Sequence, residues 1–187
     1  DTNRLNEAEA KYLRAKEIRE QLAAEQPSAY LPNLAMSCNN LGVLYSNTKR
    51  MEKAEAKYLR AKEIYEQLAA ESPSAYLPNL AMSCNNLGAL YNDTNRMKEA
   101  KAECLRAKEI YEQLTAENPS VYLPDLAMSC NNLGALYSDT NRMKEAELEY
   151  LRAKEIREQL AAENPSAYMF NLAGTYYNLG LLYMTLK

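Results

Sequence analysis

The stretch LAMSCNNLG stands at residues 34–42 and recurs letter for letter at 80–88 and 126–134. A looser fourth copy, LAGTYYNLG, occupies 172–180. The interval is 46 residues each time, so Leu34, Leu80, Leu126 and Leu172 form one series, and Tyr45, Tyr91, Tyr137 and Tyr183 another. Self-similarity at a period of this size is the signature of a repeat architecture, in which each unit buries its apolar face on the next. Aligning 31–76 with 77–122 gives 34 identities in 46 positions, a closeness that points to recent duplication or deliberate design.

Each unit holds two helical patterns, A and B. In the second unit Leu80, Cys84, Leu87, Gly88 and Tyr91 fall at spacings of four, three, one and three, which is one face of a helix over about 78–91. Pro78 suits the first turn, where its missing N–H leaves no bond unmade. Pattern B covers about 97–117, with Ala100, Leu105, Ala107, Ile110 and Leu114 as its apolar stripe. At ~1.5 Å per residue it is roughly 30 Å long. The A–B link carries Asn95, suited to the left-handed conformation that ends many helices; Lys49 fills that slot at some cost in the first unit. Pro119 ends B, and Asn118 or Ser120 is placed to cap the next helix. Gly42, Gly88, Gly134 and Gly180 sit inside A, where glycine costs about 1 kcal/mol relative to alanine. A cost repeated in every unit implies a packing cause, expected here to be the close approach of a neighbouring helix backbone.

These residues carry a resemblance to the tetratricopeptide repeat (TPR), whose helix A reads W-x2-L-G-x2-Y and whose helix B carries small, aromatic and small positions. Cys84 stands in the tryptophan slot, followed by Leu87, Gly88 and Tyr91. Ala54, Tyr58 and Ala61 fill the second half, as do Ala100, Cys104 and Ala107, and Ala146, Tyr150 and Ala153. Two departures are a period of 46 instead of the usual 34, and helix-favouring residues such as Glu66 and Glu112 where a proline is usual. They imply a longer helix B and a longer B–A link, similar to kinesin light chains, whose "NNLA" and "A-E-x-x-Y-x-R-A-L-E-I" resemble NNLG and AEAKYLRAKEI here. The implied fold is all-α, a right-handed α-solenoid of antiparallel hairpins with eight helices. The expected organisation is a truncated B helix in 1–30 (helical over about 4–25), units at 31–76, 77–122 and 123–167, and a truncated A helix in 168–187 (helical to about 186). The chain opens with DTNRL instead of methionine, and DTNRM recurs at 93–97 and 139–143, as in a fragment of a longer array.

Composition narrows the function. Basic and acidic residues, 22 and 25 in number, are interspersed to a net charge of −3, so no basic block is available for a phosphate backbone and no nucleic acid is expected. No apolar run reaches membrane-spanning length, and no membrane partner is expected. Histidine is absent, which removes the usual acid–base side chain and leaves Cys38, Cys84 and Cys130 without a base. Cysteines one repeat apart do not converge on an ion, and stacked A helices roughly 10 Å apart exceed disulfide reach. All four, including Cys104, read as buried small apolar residues. No enzyme, cofactor or metal is expected, and unbridged thiols favour a reducing, cytoplasmic location.

The asparagine pairs carry the functional expectation. Asn39 and Asn40, Asn85 and Asn86, and Asn131 and Asn132 come one and two residues after the buried cysteine, turning roughly 100° and 200° away from it. The resemblance implies a concave face lined by A helices, where related asparagines bond an extended peptide backbone. A carboxamide offers both donor and acceptor for that purpose. Met36, Met82 and Met128 add adaptable apolar contact, and Val43, Ala89 and Ala135 leave width. The alternative for either member of each pair is a bond to its own scaffold. In the fourth copy Tyr177 and Gly174 break the pattern while Asn178 keeps it. Helix A lacks basic residues, which argues against clamping a C-terminal carboxylate. The charges of helix B read as a solvated face with i,i+4 pairs such as Lys62–Glu66. The expected function is a non-catalytic scaffold holding a peptide or partner protein; the alternative is head-to-tail self-association through uncapped apolar ends.

Overall fold

The computed structural model describes residues 2–186, so Asp1, which opens the DTNR stretch, and Lys187 lie outside the described residues. Among these the chain forms eight helices and no strand: α1 (Thr2–Glu25), α2 (Pro27–Asn47), α3 (Met51–Glu71), α4 (Pro73–Asp93), α5 (Met97–Glu117), α6 (Pro119–Asp139), α7 (Met143–Glu163) and α8 (Pro165–Thr185). Odd-numbered helices are B and even-numbered ones A. Two compact units divide between Leu90 and Tyr91. In the first, α1 packs on α2 and α2 on α3. In the second, α5 packs on α6, α6 on α7 and α7 on α8.

The A–B turns arise from one backbone motif. Lys49, Asn95 and Asn141 are left-handed, with φ of 59°, 59° and 57°. At the first turn Arg50 N–H donates to the Tyr45 carbonyl at 2.8 Å and Lys49 N–H to that of Ser46 at 2.9 Å. These are the two crossed bonds that satisfy the last carbonyls of a helix. The apolar clasp usual in such a motif is replaced by a cation on a ring: Arg50, Arg96 and Arg142 lie 4.5, 4.2 and 4.4 Å from the centroids of Tyr45, Tyr91 and Tyr137. The asparagine slot and its lysine exception therefore behave as expected.

The B–A links do not. They are one residue long, Gln26, Ser72, Asn118 and Asn164, instead of lengthened. A residue before proline is pushed out of the helical region, and Asn118 sits at φ −138°, ψ 77°. The proline after it takes the first position of the next helix. One Asn-Pro pair thus ends B and begins A. Pro32, Pro78 and Pro124 consequently lie inside their helices. Phe170 replaces that inner proline in α8, yet α8 begins at the equivalent Pro165, so the first proline sets the start. Asn118 makes no side-chain cap bond, whereas the Asn164 carboxamide accepts from Ala167 N–H at 3.3 Å.

The glycines answer to a ring instead of a backbone. A Cβ on Gly134 would stand 2.7 Å from Cδ1 of Tyr150, and one on Gly42 would overlap the ring of Tyr58. A Cβ on Gly180 would meet nothing within 4 Å. The aromatic of helix B therefore seats directly on the glycine of the preceding helix A, beside Leu41 and Leu133, both fully buried.

Candidate functional site

On α2 the LAMSCNNLG stretch divides by its rotation about the helix axis. Leu34, Ala35, Cys38 and Leu41 are buried against the neighbouring helices, while Met36, Asn40 and Val43 are exposed at spacings of four and three. Those spacings place the three on one face. α4 repeats the arrangement with Met82 and Ala89 exposed and Asn86 half-buried. On α6 Met128 is exposed, and Asn131, Asn132 and Ala135 are half-buried.

The two asparagines of a pair have different placements. Asn39 and Asn85 are each only 3% exposed, so their carboxamides lie inside their helix packing and not on a groove surface. Their expected role as ladder rungs is corrected accordingly: a step of one residue from the buried cysteine does not turn the side chain far enough to reach solvent. In the second unit Asn178 Nδ2 donates to Asn131 Oδ1 at 3.1 Å, which joins α8 to α6. The second asparagine of one A helix thus holds the first asparagine of the A helix before it. Asn40 is the fully exposed member, and Tyr177, 67% exposed, replaces the first asparagine on α8.

The serine of the stretch is a structural residue that sequence reasoning passed over. Ser37 and Ser83 are buried at 3% and 0%, as is Thr175 in the fourth copy. Ser83 Oγ donates back to the Asn79 carbonyl at 3.0 Å. Arg19 Nη1 donates to Ser37 Oγ at 2.5 Å and to the Asn33 carbonyl at 3.1 Å, and Arg157 repeats this with Thr175 and Asn171 at 2.5 and 2.9 Å. Arg19 and Arg157 therefore fasten the end of one helix B to the next helix A. Burial lowers the Arg157 pKa from its ordinary value. Tyr65 occupies the same slot in α3 and bonds the Asn79 side chain. A buried hydroxyl one residue before the cysteine, opposite an arginine 18 residues earlier, was the available signal.

The charges of helix B exceed a solvated face. Lys108 Nζ meets Glu149 Oε1 at 2.5 Å, joining α5 to α7, with both side chains mostly buried. Arg152 and Glu112 join the same helices at 3.0 Å. In the first unit Arg50 Nη1 meets Glu9 Oε2 at 2.6 Å, and the guanidinium holds that carboxyl below its ordinary pKa. The i,i+3 and i,i+4 pairs expected at the surface are present too, as in Arg60–Glu63 and Lys16–Glu20.

The cysteines are as inert as their placement implies. All four are buried, at 0–2% exposure, and Cys38, Cys104 and Cys130 are free thiols. Burial pushes Cys104 and Cys130 up to about 12, so they stay protonated near neutral pH. Among the described residues no group of His, Cys, Asp or Glu is placed to hold a metal ion, and no helix is long and apolar enough to cross a membrane. A cleft of about 140 Å³ between Met97, Lys101, Leu136 and Tyr137 lies at a hairpin turn, away from the Met–Asn face.

The family model described as tetratricopeptide repeat matches three times, over residues 34–73, 80–118 and 126–165. Each match opens on the leucine of LAMSCNNLG and runs through the following helix B. In structure the chain is similar to BtubC (BKLC) from P. vanneervenii, at 27% identity and a TM-score of 0.73, over 97% of this chain and 66% of that one. It is similar in fold to the apo form of RapI, at 19% identity and a TM-score of 0.75, over 99% and 45% of the two chains. A putative kinesin light chain from P. anserina with nearly identical TPR-like repeats is similar in fold at 21% identity and a TM-score of 0.58, over 96% and 85%. The chain therefore spans about two thirds or less of the first two proteins. No curated protein matches it.

Proposed function

Because this chain belongs to the tetratricopeptide repeat family, we propose that it is a non-catalytic scaffold that holds a peptide or partner protein against the exposed face of its A helices. One observation carries the reading. Met36 is 43% exposed, Met82 38% and Met128 37%, on helices whose other faces are packed. Each of these side chains is partly open to solvent, and flexible, polarizable methionines suit surfaces that accept varied apolar side chains. Asn40, and the half-buried Asn86 and Asn132, stand one turn along from each methionine and offer donor and acceptor to a peptide backbone, whereas Asn178 already donates to Asn131. The face is uncharged, so the partner segment is expected to be apolar and weakly charged at its contact residues. Unbridged, buried thiols are compatible with a reducing compartment such as the cytoplasm.

The test is affinity for peptides selected from a random library, measured by titration. Met36, Met82 and Met128 changed together to serine should abolish capture while the helical signal and melting point stay unchanged. Undiminished binding by that variant would remove the reading. A second reading, end-to-end self-association, is favoured by the apolar exposure of α8, where Phe170, Leu181 and Met184 are 88%, 46% and 72% exposed.

A further inference from the structure

The first unit holds a carboxylate at a place where the second unit has a lysine. At the turn between α2 and α3, Arg50 Nη1 donates to Glu9 Oε2 of α1 at 2.6 Å, and the Tyr45 hydroxyl donates to the same carboxylate. The Arg50 guanidinium also lies on the Tyr45 ring, 4.5 Å from its centroid. Glu9 is thus an anion held between a cation and a phenol, where α1 meets α2.

Two repeats on, the second unit keeps the tyrosine and the arginine and loses the anion. Tyr137 and Arg142 stand in the places of Tyr45 and Arg50, with the guanidinium 4.4 Å from the ring centroid. Lys101 of α5 replaces Glu9, and Lys98 replaces Asn6. Lys101 Nζ stands 5.9 Å from the Tyr137 centroid. Arg142 turns Nε and Nη2 to Glu145 of α7, at 3.0 and 2.7 Å, where the first unit has Lys53. The cleft of about 140 Å³ lies between these groups. Its charged lining, among the described residues, is Lys98, Lys101 and Arg142, without a carboxylate. Its apolar lining is Met97, Leu136 and Tyr137. Three cations around one apolar hollow repel one another, and a bound anion relieves that repulsion.

We infer that this cleft binds a small carboxylic acid with a compact apolar body. The carboxylate lies between Lys101 and Arg142, in the place that Glu9 fills in the first unit, and the apolar body rests on Met97 and Leu136. The repeat itself supplies the chemistry, since the sister tyrosine and arginine already hold a carboxylate. The hollow supplies the size: sites for drug-sized molecules run to roughly 300–1,000 Å³, so the occupant here is smaller. The site is separate from the Met–Asn face and does not depend on what that face holds.

The experiment is a nuclear magnetic resonance titration of the ¹⁵N-labelled chain with benzoate, benzamide and acetate. Benzoate should bind saturably at about a millimolar or below, with the largest shifts at Met97, Tyr137 and Arg142. Benzamide keeps the ring without the charge, and acetate keeps the charge without the ring. Each should bind roughly tenfold more weakly or worse. Lys101→Glu rebuilds the Glu9 arrangement inside the second unit, so it should keep the helical signal and abolish benzoate binding. Lys101→Met removes one cation without supplying an anion, and should weaken binding without abolishing it. No saturable benzoate binding, or shifts centred away from the cleft, would overturn the site. Equal binding of benzamide would overturn its charge, equal binding of acetate its apolar half, and undiminished binding by Lys101→Glu the parallel with Glu9.

Discussion

The same substitution at two equivalent glycines should have opposite signs. Alanine at Gly134 would place Cβ 2.7, 2.8 and 3.0 Å from Cδ1, Cε1 and Cγ of Tyr150. Carbon atoms rest at roughly 3.5–4.0 Å, so the ring must retreat by about 0.8 Å. Tyr150 is 4% exposed, in a core with little free space to receive it. Overpacking of this kind costs about 1–3 kcal/mol. Alanine in place of a mid-helix glycine returns about 1 kcal/mol. The net effect at Gly134 lies between neutral and a loss of about 2 kcal/mol. At Gly180 the Cβ meets nothing within 4 Å, so only the propensity gain of up to ~1 kcal/mol remains. Both sites lie in the unit that begins at Tyr91, so one urea titration followed by circular dichroism compares them directly. The expected gap is about 1–3 kcal/mol, or roughly 2–4 °C per kcal/mol in melting temperature. Tyr150→Cys supplies the internal control, since cysteine already fills the equivalent slot at Cys104. In that background Gly134→Ala should turn stabilising. Equal gains at Gly134 and Gly180, or no coupling between Gly134→Ala and Tyr150→Cys, would refute the ring-on-glycine account.

The Lys108–Glu149 pair is expected to be asymmetric under mutation: Lys108→Met leaves a carboxylate that is 7% exposed without its cation and should cost about 3–5 kcal/mol, while Lys108→Met with Glu149→Leu should be close to neutral, both read from urea midpoints. Alkaline pH should also destabilise the fold. Burial pushes Tyr58 and Tyr150 from 10.0 to about 12, and Cys104 and Cys130 from 9.0 to about 12. Folded values above unfolded ones mean that the folded chain holds these protons more tightly. Their contribution is therefore complete below about pH 9 and lost as pH rises from there to about 12, at roughly 1.4 kcal/mol per group for each pH unit between its unfolded and folded values. Urea midpoints should be flat from about pH 7 to 9 and then fall steeply; a flat profile to about pH 11 would remove the attribution to burial.

The second unit's helix B was legible at both ends because local chemistry sets them, whereas α1 begins at Thr2, two residues before the expected start. The left-handed Asn95 precedes it and the pre-proline Asn118 comes after it, and α5 runs Met97–Glu117 accordingly. Helix A was legible in its centre but not at its start. Two prolines five residues apart, Pro73 and Pro78, offer the same signal, and the pattern alone does not say that the inner one lies within a helix already begun. The two members of each asparagine pair could not be told apart for another reason. Spacing gives the angle between Asn39 and Asn40 but not the absolute rotation of the helix, and a rotation of one residue exchanges the buried and exposed members. The burial of Glu149 could not be read from the repeat, since the equivalent positions are Lys57 and the half-buried Glu103, and its pairing with Lys108 of α5 is seen only in the structure.

The internal repeats make a comparison that bears on the exposed methionines. Where the copies differ, they differ most on the outer face of helix B: exposed Glu52 becomes Lys98 and Lys144, and Lys53 becomes Glu99 and Glu145. The reversal changes partners as well as sign: Lys53 lies 5.6 Å from the centroid of Tyr45, whereas Glu99 and Glu145 pair with Arg96 and Arg142 at 3.0 and 2.7 Å. Met36, Met82 and Met128 are also exposed, yet all three copies keep the same side chain. Packing does not account for that, because the side chains that fill the core of α2 are Leu34, Cys38 and Leu41 on the other face. Nor does helix propensity, since lysine and glutamate serve as well as methionine. The partner-binding face proposed above would account for the retained methionines, and the fourth copy departs from the pattern. Gly174 replaces methionine on α8, the same helix on which Tyr177 replaces the first asparagine and the outward surface becomes apolar. On the reading proposed above, serine at Met36, Met82 and Met128 should end peptide capture, and Gly180→Ala should leave it intact.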